Sequence, residues 1–110
     1  MRPMNTKSVI ETSLKDAMRA KDEQRKNVFR LLLSSIKMAE IDKKRPLEEA
    51  EVLALVQKEV KSRREIIADA ERAERPDLIA EANAEIRILE SLLPKPLTES
   101  LYGQPELQRF

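Results

Sequence analysis

Hydrophobic residues recur every three or four positions along most of this chain, with the polar residues between them confined to narrow strips. From Val28 to Ala39, the residues Val28, Phe29, Leu31, Leu32, Leu33, Ser35, Ile36 and Ala39 occupy an arc well over half of a helix circumference, at about 100° per residue. A helix of that kind must be covered on several sides, so this block is expected to be the most buried element. Its polar remainder is one mainly cationic line of Lys26, Arg30, Ser34 and Lys37. Upstream, Ile10, Leu14, Ala17 and Met18 mark a first helix from about Asn5 or Thr6 to Lys21 with a single apolar face. Asp22 suits the N-cap of the second helix, because its carboxylate can accept free amides of the next turn, and Glu23 suits the positive end of the helix dipole.

The charged run from Asp42 to Arg45 breaks the periodicity, and Pro46 pushes the residue before it out of the α region, which predicts a loop. Leu47 and Val52 can staple the start of a third helix near Glu48, with Glu51 at the capping-box position. Its stripe of Val52, Leu55, Val56, Val60, Ile66, Ile67 and Ala70 predicts a helix running to about Glu74, roughly 40 Å long at 1.5 Å per residue. Arg75-Pro76-Asp77 stops it. Leu78, Ala82, Ile86, Leu89 and Leu93 then define a fourth helix that Pro94 ends. The expected fold is all-α: a four-helix bundle over residues 1–93 and a short irregular C-terminal tail over 94–110.

Composition narrows the chemistry. The 110 residues suit one domain, and 41% hydrophobic and 37% charged residues with a single Gly favour helices over tight β-turns and phosphate loops. With no Cys and no His, disulfides, Cys or His metal sites and Cys or His catalysis are excluded. No metal site and no cofactor is expected. Apolar runs such as Leu31-Leu32-Leu33 are far short of the ~20 residues that a bilayer requires, so a soluble cytoplasmic protein without membrane contact is expected.

The net charge is only +1, but residues 1–65 carry 16 Lys or Arg against 11 Asp or Glu, whereas residues 66–110 carry 5 against 9. The basic half can face phosphates, or the two halves can simply attract each other. The candidate nucleic-acid contacts are Lys26, Arg30 and Lys37 on the second helix with Lys58, Lys61 and Arg64 on the third. A solvated charged face is the competing reading. Aromatic stacking contributes little, because Phe29 lies in the apolar arc and Tyr102 and Phe110 in the tail, so binding would be phosphate-driven and salt-dependent.

Three polar residues interrupt apolar stripes. Glu59 and Arg63 sit four apart on the third helix, in the favourable order for a helical ion pair, and Glu85 enters the stripe of the fourth. Arg63 is expected to meet both carboxylates across the last hairpin, either as a register-fixing network within the bundle or as part of a binding site. Ser34-Ser35-Ile36-Lys37 fits a Ser-x-x-Lys pattern, but it lies mid-helix with no Gly-rich oxyanion loop, so chance explains it better and no catalytic residue is assigned.

The blocks Lys21 to Asp42, Val52 to Ile67 and Ile86 to Pro94, followed by Lys95-Pro96-Leu97-Thr98-Glu99, together resemble the YqeY-like family over about residues 5–101. Relatives of that family include the tail of the GatB subunit of glutamine-dependent aminoacyl-tRNA amidotransferase. The resemblance implies an all-helical fold of an N-terminal four-helix bundle followed by a smaller three-helix bundle. The second bundle has no counterpart in these residues, which makes 94–110 the expected remnant of the connection to it. Glu74 stands where the family would place a small turn residue before Asp77. By resemblance the expected function is a non-catalytic module associated with tRNA or with amidotransferase subunits. A helical protein-interaction or self-associating domain, such as a homo-oligomer, is the alternative.

Overall fold

The computed structural model describes residues 5–94. Within them the backbone forms four helices and no strand: α1 Thr6–Arg19, α2 Glu23–Lys43, α3 Glu49–Arg72 and α4 Pro76–Glu90. The start of each helix follows from its local sequence. Asn5 Oδ1 accepts the Ser8 amide at 2.8 Å, and the Asp22 carboxylate accepts the Arg25 amide at 3.1 Å. At α3 the Glu51 carboxylate reaches back to accept the Glu48 amide at 2.8 Å. Pro76 opens α4, in the first turn where its missing N–H leaves no helical bond unmade.

The first three helices end alike. Lys21 and Asp22 donate their amides to the carbonyls of Met18 and Ala17, Lys44 and Arg45 to those of Ile41 and Glu40, and Glu74 and Arg75 to those of Glu71 and Ala70. Each pair is a Schellman closure, which requires one left-handed residue. Here those residues are Lys21, Lys44 and Glu74, with φ of 58°, 58° and 56°. None is glycine, although a side chain at positive φ is sterically costly. The left-handed turn at Glu74 is why α3 stops at Arg72, two residues before the position expected from its periodicity.

The helices pair chiefly with their neighbours in sequence, α3 with α4 and α1 with α2, and α2 also touches both α3 and α4. Ile10, Phe29, Leu32, Ile36, Val56 and Leu89 are the largest fully enclosed side chains, and three of them come from α2. That enclosure matches the width of its apolar arc. The arc is nevertheless broader than the surface that becomes covered: Leu31 is 41% exposed, because the covered side of α2 centres on Phe29, Leu32 and Ile36 and Leu31 points away from it. Met18 on α1 and Ile66 on α3 are likewise exposed, whereas Ile88, absent from the expected stripe of α4, is buried. Residues 95–110, most of the expected tail, lie outside the described residues.

Candidate functional site

Two groups of charged residues structure the bundle, and a third faces outward. The first lies between α3 and α4. Arg63 projects from α3 into the stripe that packs on α4, and its Nε donates to Glu85 Oε1 at 3.2 Å while Nη1 donates to Glu59 Oε1. The guanidinium is only 13% exposed and both carboxylates are 22% exposed. One cation thus bridges an intrahelical carboxylate and an interhelical one. Partial burial makes the partners interdependent, because a half-enclosed charge left alone would have lost water without replacement. Beside this set, Ile66, Leu78, Glu81, Ala82 and Glu85 line a shallow groove.

The second group closes the joint between α2 and α3. Glu40 accepts the Leu47 amide at 3.0 Å and pairs with Lys7 at 3.4 Å. The Leu47 amide is the main reason that the Glu40 carboxyl lies below its usual range; Lys7 adds to the effect and burial opposes it. Glu51 is held by a two-pronged Arg45 guanidinium, with both N–O distances at 2.9 Å, and by Lys43 at 3.5 Å. The Arg45 contact and then the Glu48 amide pull the Glu51 carboxyl down to about 2. Glu49 accepts from both the amide and the hydroxyl of Thr6, which ties the start of α1 to the start of α3.

Sequence reasoning placed Glu51 at the capping box and missed the rest of this second group. For Glu40 a signal existed, since it falls within the apolar arc of α2 four residues after Ile36, the same kind of intrusion that singles out Arg63 on α3. For Arg45 there was none, because its contact with Glu51 depends on the path of the loop.

The third group comprises the cations proposed to meet phosphate. Lys26 is paired with Glu23 at 2.9 Å and is largely covered, and Arg64 is paired with Glu90 at 2.9 Å. Arg30, Lys37, Lys58 and Lys61 are exposed and have no carboxylate within ion-pair distance among the described residues. Lys61 and Arg64 share a shallow cleft with Gln57, Val60, Glu90 and Leu93, near the point where the chain leaves α4. Phe29 is enclosed and carries the Arg25 guanidinium 5.5 Å from its ring centroid, so it presents no face for stacking a base. Ser34 and Lys37 both lie on the open side of α2. Among the described residues, no cluster of three or more metal-ligating side chains is formed and no helix is long and apolar enough to cross a membrane.

Comparison with known proteins identifies the bundle. The profile of the Yqey-like protein family matches residues 7–103, and the chain belongs to that family. It is 38% identical over 85 residues to the mitochondrial protein named Altered inheritance of mitochondria protein 41 of Kluyveromyces lactis, covering 76% of this chain and 46% of the relative. The protein of that name from Lachancea thermotolerans is 36% identical over the same coverage. An uncharacterized protein of Schizosaccharomyces pombe is 29% identical over 91 residues, 83% of this chain and 74% of its own length. The chain spans about half the length of the proteins named for mitochondrial inheritance that it matches.

Proposed function

We propose that this YqeY-like chain is a non-catalytic accessory module that works beside tRNA or the subunits of glutamine-dependent tRNA amidotransferase. The family resemblance supplies the amidotransferase connection. The observation that carries the reading is the set of exposed cations on α2 and α3, Arg30, Lys37, Lys58 and Lys61, that no carboxylate of the described residues neutralises. By contrast, Arg63 and Arg64 on α3 are paired with carboxylates of α4. Cations left open in this way suit phosphate oxygens, and without an accessible aromatic ring among the described residues they would bind the backbone of a nucleic acid rather than read its bases.

Filter retention of tRNA at low and at physiological salt tests the reading. Retention should fall steeply with salt, and reversing Lys58 and Lys61 to Glu should both weaken it and flatten the salt dependence by roughly 0.7 to 0.9 in log–log slope for each phosphate no longer neutralised. Absence of retention at about 50 mM salt, within the range where counterion release favours binding most, would end the nucleic-acid reading. Co-purification with amidotransferase subunits, before and after nuclease treatment, separates association through tRNA from direct association. A protein-interaction module is the second reading, favoured by the exposed Leu31, Met38 and Ile41 on α2.

A further inference from the structure

Five large hydrophobic side chains are exposed among the described residues, and three of them, Leu31, Met38 and Ile41, lie on α2 with exposures of 41%, 66% and 62%. Together with the small exposed Ser34 they stand at positions 31, 34, 38 and 41. That alternation of three and four is the seam spacing of two helices packed side by side, in which every such position faces the partner. The rest of the bundle leaves this line uncovered, since α2 meets its neighbours through Phe29, Leu32 and Ile36 on the opposite side.

The charges bordering the line are unequal. Arg30 and Lys37 run along one border, and exposed Asp42 stands on the other. Lys37 and Asp42 have no ion-pair partner in the chain among the described residues. Two copies of α2 packed antiparallel would set the cationic border of one against the same border of the other. Packed parallel, each cationic border meets the opposite border, and Lys37 of one copy comes beside Asp42 of the second, the five-residue offset of flanking pairs in a parallel seam.

We infer that α2 is a self-association face, on which a second copy of this chain lays its own α2 in parallel through Leu31, Ser34, Met38 and Ile41, with Lys37 pairing to Asp42 across the two-fold axis. The seam is about three turns long, roughly 15 Å. It therefore buries less than the roughly 1,200 to 2,000 Å² of a stable interface, and the dimer is weak and concentration-dependent.

Sedimentation velocity of the full chain over a concentration series, without nucleic acid, tests this independently of any tRNA binding. The mean mass should climb toward that of a dimer. Met38→Glu should hold the chain monomeric with an unchanged circular dichroism spectrum and unfolding transition. Lys37→Asp and Asp42→Lys should each weaken association severalfold, and the double swap should restore it. Because the chain has no cysteine, Ser34→Cys introduces a lone thiol beside its own copy, which should form a disulfide-linked dimer in air faster than Ser62→Cys on the outer face of α3. A monomer at every concentration overturns the inference. A dimer in which the double swap gives no rescue, or in which Ser34→Cys cross-links no faster than Ser62→Cys, overturns the parallel seam.

Discussion

Four arginines of the α3–α4 hairpin and the cations on the outer side of α2 have the same charge and opposite surroundings. Arg63 is shared between Glu59 and Glu85, Arg64 holds Glu90, Arg72 holds Asp69 and Arg75 holds Asp77. Arg30 and Lys37 hold no carboxylate of the described residues and border an uncovered apolar line. For these side chains charge is internal to the architecture in the hairpin and available to a partner on the outer side of α2, as it also is at Lys58 and Lys61 of α3. Only the half-buried member of the first region, Arg63, should matter much for folding, since exposed pairs contribute little.

The sharpest contrast is between the two sides of α2. Leu32→Ala removes a fully enclosed side chain and should cost about 3 to 4 kcal/mol in denaturant unfolding, whereas Met38→Ala on the outer side should stay within about 0.5 kcal/mol. Next, Arg63→Ala strands two partly covered carboxylates and should cost about 2 kcal/mol, below the roughly 3 to 5 of a fully buried pair because water still reaches the site. A cost as small as that of Arg30→Ala would erase the distinction between the two regions.

Smaller still, and opposite in sign, Glu74→Gly should stabilise the bundle by about 1 kcal/mol by relieving a side chain held at φ 56°. Equal stability of the two proteins in urea would count against strain at that corner. At the α2–α3 joint, the contribution of Glu51 should be complete above its ordinary value of 4.5 and should disappear as the pH falls toward about 2, where the native carboxylate takes up its proton. The stability gap between the parent and Glu51→Gln should therefore narrow over that window; a constant gap would mean that the Arg45 pairing adds nothing.

Much of the fold is legible in the chain because four strongly periodic blocks are separated by Asp22, Pro46 and Pro76, residues whose side chains or rings favour a change of backbone direction. Burial was less legible. A width of apolar arc shows how much of a helix can be covered, while the number and placement of neighbours decides how much is, and the difference left Leu31 and Ile66 in water. The left-handed corners at Lys21 and Lys44 carried no signal, since glycine is their usual mark and none is present there, and Glu74 was marked only by the family resemblance, as the place of a small turn residue. Charge intrusion into a stripe pointed to Arg63, Glu59 and Glu85, which the structure brings together. It did not extend to Arg45, whose position depends on a loop. The outward cations name no partner by their spacing, because phosphate recognition needs positive charge at many possible separations rather than one fixed pattern.

The pairing of helices adjacent in sequence also bears on how quickly the native state is reached. Most of the packing is made within α1–α2 and within α3–α4, each joined by a short connection, so little chain entropy is lost before native interactions begin to compensate. Helical topologies of this local kind fold in microseconds to milliseconds. On the ribosome, the first hairpin can collapse around Ile10 and Phe29 while the second is still being synthesised, and the later docking of α4 encloses Leu89 and completes the interior.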